Sequence, residues 1–409
     1  MTAGHEFDFD TIRDSLDHCV KCTICESACP VTAVTPLFPG PKYVGPQAER
    51  FRDAGPSVDA SLDYCSSCGI CTLACPQGVH VAEINSRARA VMKARKGMPL
   101  RDQILSRTDV QGRLGTPVAP LANFALSNRL GRLLVEKVAG IHRNAATPKF
   151  AGHTFQRWAR RHAAPSTATK QVVYFHGCST NYFEPELGKM TVAVLEHNGF
   201  RVVVPPQGCC GLPLQSNGIF DAGRSYARRL VSHLAPYAQR GDVIVATSTS
   251  CGLMLKREAI EILGVQDEDL RVVSTQTFDI CEFLSDLSAA GELKTDFRPV
   301  PLTVTYHAPC QQQGHNIGKP ALDLFALIPE LKVIELDRAC CGIAGTYGLK
   351  REKYDIAMKV GSGLFGDIRD AQPDLAACDS ETCRWQITHG TGATSVHPVE
   401  VLYRAYGLG

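Results

Sequence analysis

The sequence predicts an α/β protein: two duplicated α/β modules with mostly parallel sheets, preceded by a mainly α-helical module rich in cysteine. Three observations carry this. Two runs with identical cysteine spacing lie between residues 19 and 76. From about residue 170 the chain copies itself at an offset of 131–132 residues. Within each copy, short β-branched runs alternate with longer amphipathic ones, as strands and helices do in an α/β unit. The expected divisions are residues 1–95, 96–165, 166–296 and 297–409.

Composition narrows the function classes. Hydrophobic side chains make up 44% of 409 residues, enough for ordinary cores, and the net charge of +2 gives no reason to expect a nucleic-acid partner. The opening MTAGHEFDFD is acidic and lacks the apolar stretch of a secretory signal. No run approaches the roughly 18 apolar residues of a membrane span. A cytosolic chain is therefore expected, and its 18 cysteines point to metal ligation or redox chemistry rather than disulfides.

The first run is CVKCTICESACP, with Cys19, Cys22, Cys25 and Cys29; the second is CSSCGICTLACP, with Cys65, Cys68, Cys71 and Cys75. Both read C-x2-C-x2-C-x3-C-P. In that spacing three thiolates of one tight loop hold one [4Fe–4S] cluster, while the fourth turns away to the other cluster. The expected sets are Cys19, Cys22, Cys25 and Cys75 for one cluster, and Cys65, Cys68, Cys71 and Cys29 for the other. Zinc is the alternative, but its ligands usually come as separated pairs around one ion.

Residues 93–162 change character, with 14 Lys or Arg against three acids. Leu126, Leu130, Leu133, Leu134, Val138 and Ile141 recur at helical spacing, with Arg129, Arg132 and Lys137 between them. A basic amphipathic helix lies on an anionic bilayer or packs on a protein partner, and the sequence leaves both open.

In the duplicated region, QVVYFHGC ends at Cys178 and LTVTYHAPC at Cys310. Vicinal pairs follow, Cys209–Cys210 and Cys340–Cys341, each before a glycine. TSTSC then ends at Cys251 and DSETC at Cys383. VVYF, RVVVP and DVIVAT read as strands in the first copy, and LTVTY, LKVIEL and PDLAAC in the second. The cysteines then fall at the carboxyl ends of strands, the ligand-binding edge of open α/β sheets. Gly211 and Gly342 permit the sharp bend that two adjacent inward thiols require. Each copy thus offers four candidate ligands. His176 and His307 precede the first cysteine of each copy and are candidates for hydrogen bonds to a cluster or quinone. Tyr347 is placed to cap the second copy's site, and Cys378 to add a spare thiol there.

The Cys…CysCysGly…Cys duplication resembles the cysteine-rich "CCG" domain family of heterodisulfide reductases and of glycolate and lactate oxidation. Joined to a two-cluster ferredoxin-type module, the chain looks most like the iron–sulfur subunits of anaerobic glycerol-3-phosphate dehydrogenases. The stretches that carry this are KCTICESACPV, FPGPKYVGPQAER, FHGC, CCGIAGTYGLK and ETCRWQI. The resemblance implies an electron-transfer subunit on the cytoplasmic face of the cell membrane. Such a protein is peripheral and relays electrons from an FAD-containing partner to membrane quinone. The resemblance also implies further, non-cubane [4Fe–4S] clusters in the CCG modules, with substrate oxidation left to the partner. A disulfide reductase is the competing reading. The family often ends each copy in Cys-x-x-Cys; here Ser248 and Ser380 take the earlier position.

Overall fold

A computed structural model of the chain describes residues 11–52, 60–165, 168 and 170–409; the acidic opening lies outside them. Among the described residues eight strands form two four-stranded sheets, all of whose pairings are parallel. The first sheet has the order β2-β1-β3-β4, from β1 (Lys170–Phe175), β2 (Phe200–Val203), β3 (Val243–Ala246) and β4 (Thr277–Asp279). The second has the order β6-β5-β7-β8, from β5 (Thr303–Tyr306), β6 (Lys332–Glu335), β7 (Leu375–Ala377) and β8 (Ser395–Val396). In both sheets the chain moves from the first strand to one side and then to the other. The strand order therefore reverses at β1 and at β5, which marks the ligand edge of such sheets.

Helices cover both faces, which is why β1 reads as the unbroken apolar run VVYF, with Val172 to Phe175 all buried. Sequence reading missed β4 and β8. They are three and two residues long, TFD and SV, too short to show a strand pattern.

The two copies share one core. Phe155, Tyr174, Val194 and Phe283 from the first side pack with Tyr306, Phe325, Val399 and Leu402 from the second. Helix Pro185–His197 packs against Pro398–Ala405, and Ile280–Ala289 against Pro320–Phe325. A buried clamp adds direction: Arg384 and Trp385 both donate to the Glu184 carboxylate, at 2.5 and 2.8 Å. The duplicated halves thus fold against each other with their cysteine-bearing edges together.

The N-terminal module is tied on by buried charge. Arg89, in helix Val81–Lys96, donates to the carbonyls of Leu62 and Cys65, to Ser67 Oγ and to the Ser216 carbonyl of the first copy. Asp63 meets Lys93 at 2.8 Å and Lys353 at 3.2 Å. Asp102 of the connector meets Lys350 at 3.0 Å and Arg101 at 3.1 Å. Burial alone would raise the Asp102 carboxyl, but Lys350 and Arg101 hold it below the usual carboxylate range.

The connector is not one amphipathic helix. Helix Ala119–Ser127 stops at Asn128, whose side chain accepts from Gly131 N at 2.7 Å and caps a new helix, Arg129–Ala139. Arg132 is not a free surface cation: it donates to the carbonyls of Leu126, Arg143 and Ala145. Apolar side chains are exposed along the connector, among them Leu114, Leu121, Phe124, Leu130, Leu134 and Val138. No helix among the described residues is long and apolar enough to cross a membrane.

Removing one partner from a buried charge network leaves the others unpaired, which costs about 3–5 kcal/mol. Asp102→Ala, which strands Lys350, is expected to lower unfolding free energy by about that much. Anaerobic urea denaturation of the purified chain checks this.

Candidate iron–sulfur sites and a shared thiol-lined cavity

The two N-terminal runs fold as loop–helix pairs that place thiols inward. Thr23 and Gly69 take left-handed backbone angles, φ 69° and 82°, and start the short helices Ile24–Ser27 and Ile70–Leu73. Cys19, Cys22, Cys25 and Cys75 line one small cavity. Burial, then Glu26 and the thiols of Cys75, Cys19 and Cys22, push Cys25 up to about 11. Around Cys71 the neighbouring thiols are Cys65, Cys68 and Cys29, which with burial raise it well above the ordinary value. The last cysteine of each run therefore stands with the first three of the other run. The first group is the more accessible: Cys22 is exposed, with Val20 and Ile24 beside it.

The duplicated cysteines make a second arrangement, the same in both copies. Cys178 hydrogen-bonds Cys209, and Cys210 lies 3.4 Å from Cys251. Cys310 hydrogen-bonds Cys340, and Cys341 lies 3.0 Å from Cys383. Each vicinal pair thus bridges two loops, one thiol reaching back to the first strand end and the other across to the third. Within the first contact of each copy the proton is unevenly held. Cys178 and Cys310 are pushed up by their hydrogen bonds to Cys209 and Cys340, which are pushed down. The following glycines make the bend. Gly211 and Gly342 have φ of 90° and 89°, and their amides donate to Cys209 Sγ and Cys340 Sγ. A Cβ on Gly342 would stand 2.0 Å from the Ala357 carbonyl oxygen, so no other residue fits there.

All eight of these thiols, together with Cys68 of the N-terminal module, line one cavity of about 160 Å³. Cys68 stands against the second copy: Ile70, Cys310 and Cys340 pack together with Cys68 at their edge. Burial and then the Cys340 charge raise the Cys68 thiol. Such a wall, thiol-dense and without Lys or Arg among its lining residues, suits soft cations and iron–sulfur groups, which take thiolates as ligands. Without metal, hydrogen bonds to neighbouring thiols and burial hold Cys178, Cys210, Cys310 and Cys341 protonated, so the donor set fits a group that supplies positive charge.

Several side chains singled out in the sequence lie elsewhere. His176 is buried behind the cavity, its Nδ1 2.6 Å from the Gly177 carbonyl and its ring edge-on to Phe155. Burial lowers it to about 4. His307 is also buried and does not line the cavity, but it stands beside Cys383. Tyr347 does not cap the thiols of the second copy; its hydroxyl donates to the Tyr64 carbonyl at 3.0 Å, joining the copy to the N-terminal module. Cys378 is fully buried behind Cys383, off the cavity wall. Ser248 caps the helix Thr249–Leu253 and donates to Glu381 of the other copy at 3.3 Å. Sequence reading gave no sign that both cysteine sets share one wall, nor that Glu258 and Glu381 belong to it.

Residues 15–79 match the 4Fe-4S dicluster domain family, and residues 172–256 and 304–388 each match the cysteine-rich domain family called CCG. Over 398 residues the chain is 39% identical to a curated subunit of the anaerobic glycerol-3-phosphate dehydrogenase of Escherichia coli K12, covering 96% of this chain and 98% of that one. The chain belongs to the family of that anaerobic glycerol-3-phosphate dehydrogenase subunit. It is an iron–sulfur protein with a ferredoxin-type module and two CCG domains. More distant relatives cover about half of it. A subunit of the fumarate reductase (CoM/CoB) of Methanothermobacter marburgensis is 29% identical, over 57% of this chain and 44% of that one. A subunit of the dihydromethanophenazine:CoB–CoM heterodisulfide reductase of Methanosarcina barkeri is 27% identical, over 54% of each. All three relatives are named as subunits, so members of this wider group work within larger assemblies.

Were the last cysteine of each run to ligate the cluster of the other run, its loss would be felt there. Cys29→Ser is expected to perturb the cluster of Cys65, Cys68 and Cys71 more than that of Cys19, Cys22 and Cys25. EPR of the dithionite-reduced variant checks which signal changes.

Proposed function

We propose that this chain is the electron-transfer subunit of a quinone-linked anaerobic glycerol-3-phosphate dehydrogenase. On this reading a flavin-bearing partner oxidises glycerol 3-phosphate. Electrons enter at the exposed loop of Cys19, Cys22 and Cys25 and leave to membrane quinone at the shared cavity. Cys19, Cys22, Cys25 and Cys75 would hold one [4Fe–4S] cluster, and Cys65, Cys68, Cys71 and Cys29 the other. The four thiols of each CCG copy would hold a further cluster. Such clusters store and pass single electrons, which a two-electron flavin and a quinone both require of their intermediary.

The observation that carries the proposal is the contact of Cys68 with Cys310 and Cys340. It brings a thiol of the ferredoxin-type module against the thiols of the second copy, while Ser86, Arg87 and Arg89 of the module hydrogen-bond to the first. Membrane contact rests on a second observation. The connector exposes Leu130, Leu134 and Val138 at i, i+4 and i+8, on one helix face, in a segment with a large excess of Lys and Arg. Leu105, Thr108 and Gln111 of the same connector line the cavity, so a lipid-soluble acceptor would find the lipid-facing segment and the thiols close together. This favours quinone over the soluble disulfide that the heterodisulfide reductase relatives suggest.

The test uses the assembled complex in vesicles that contain menaquinone, with glycerol 3-phosphate as donor. Cys340→Ser is expected to keep the N-terminal clusters reducible and to abolish quinone reduction. Leu130→Ser, Leu134→Ser and Val138→Ser together are expected to keep activity with a water-soluble quinone and lose most of it with vesicle quinone. Normal vesicle activity in both variants would contradict the proposal.

A further inference from the structure

Reducing a quinone to a quinol takes two electrons and two protons. A wall of thiols held by metal supplies none of those protons, so the source must be another group that faces the cavity. Glu258 is such a group. It lies on the helical turn Met254–Glu258, lines the cavity, and its Oε2 is closed off from water with no hydrogen-bond partner among the described residues.

Its surroundings lead outward. Glu83 of the N-terminal module is the charge that bears on it most, and burial together with Glu83 raises Glu258 to about 8. The Glu83 carboxylate lies within 4.8 Å of His80 and Glu261, and both of these are partly exposed to solvent. The other charged groups that bear on Glu258 are Arg257 and Glu261 on its own helix, and Gln311 of Cys310–His315 lines the same cavity. Arg257 is taken by Glu261 and the Gly314 carbonyl, leaving Glu258 without it as an ion-pair partner. His315 is lowered to about 4 by burial and is neutral, with Nε2 2.7 Å from the Thr249 carbonyl oxygen.

We infer that Glu258 is the proton donor to the acceptor reduced in the shared cavity, reloaded from solvent through Glu83 and the His80–Glu261 pair. The step balances as follows. Two electrons from the reduced partner reach the quinone. The Glu258 O–H bond breaks as a new O–H bond forms on a quinone oxygen, and the carboxylate left behind takes a proton that enters from solvent at His80 and passes over the Glu83 carboxylate. A second cycle delivers the second proton.

The inference rests on the quinone reading, and the experiment separates the two. In the assembled complex, glycerol-3-phosphate-driven reduction of a water-soluble naphthoquinone is compared with that of ferricyanide, which takes electrons without protons. Glu258→Gln is expected to lower the ratio of quinone to ferricyanide rate by about 100-fold, the lower end for loss of a general acid. Wild-type quinone reduction is expected to fall as pH rises through about 8, because only the protonated acid donates. That alkaline limb should vanish in Glu258→Gln and return, at a lower rate, in Glu258→Asp. An unchanged ratio with the same alkaline limb would overturn the inference, as would an equal fall with both acceptors. If Cys340→Ser leaves quinone reduction intact, the site reading itself fails. If Cys340→Ser abolishes it while Glu258→Gln does nothing, only the proton donor is wrong.

Discussion

The arrangement depends on a buried ionic junction. Arg89 fixes the Cys65–Cys71 loop by its carbonyls and reaches Ser216 of the first copy, while Asp63 and Asp102 receive Lys353 and Lys350 of the second. Lys350 also donates to Asn217 of the first copy at 2.7 Å. Four segments far apart in sequence are thereby held around one point, with Cys68 pressed towards Cys310 and Cys340. Charged groups taken out of water are tolerated only when each finds its partners, so such a network specifies one docking geometry even where its net stabilisation is small.

Around that junction the duplication acquires a purpose that a single copy could not serve. One α/β copy carries its four thiols on a sheet edge that is open to solvent. Two copies sharing a core turn those edges together and enclose a thiol-lined space. The pair is nevertheless asymmetric. The N-terminal module touches the second copy through Cys68, while the acid Glu258 comes from the first. Ser248 and Glu381 bond across the seam, so a residue that stands where the family often has an extra cysteine links the two halves.

Much of this was legible in the sequence, because cysteine spacing is a geometric statement. C-x2-C-x2-C-x3-C-P fixes which thiols share a loop, and the 131–132-residue offset fixes which strand ends correspond. Long buried strands such as VVYF announced themselves; β4 and β8 were too short to do so. What spacing could not convey is how finished units dock. Tyr347 follows the second vicinal pair in sequence, yet Lys353 and the Tyr64 carbonyl draw it to the N-terminal module. Arg132 sits among leucines as a surface cation would, yet the Leu126 carbonyl before the break at Asn128 and the Arg143 and Ala145 carbonyls beyond the helix claim it. Both are decided by tertiary partners, which local pattern does not encode.

The central claim is that the Cys65–Cys71 loop brings its thiols against those of the second CCG copy rather than the first, although Arg89 also anchors the module to the first copy. Magnetic coupling between paramagnetic clusters reports such neighbourhood directly. In EPR of the partly reduced chain, the account predicts that splitting of the signal from the Cys65, Cys68, Cys71 and Cys29 cluster survives Cys209→Ser and disappears in Cys340→Ser. Splitting that persists in Cys340→Ser and is lost in Cys209→Ser would contradict it.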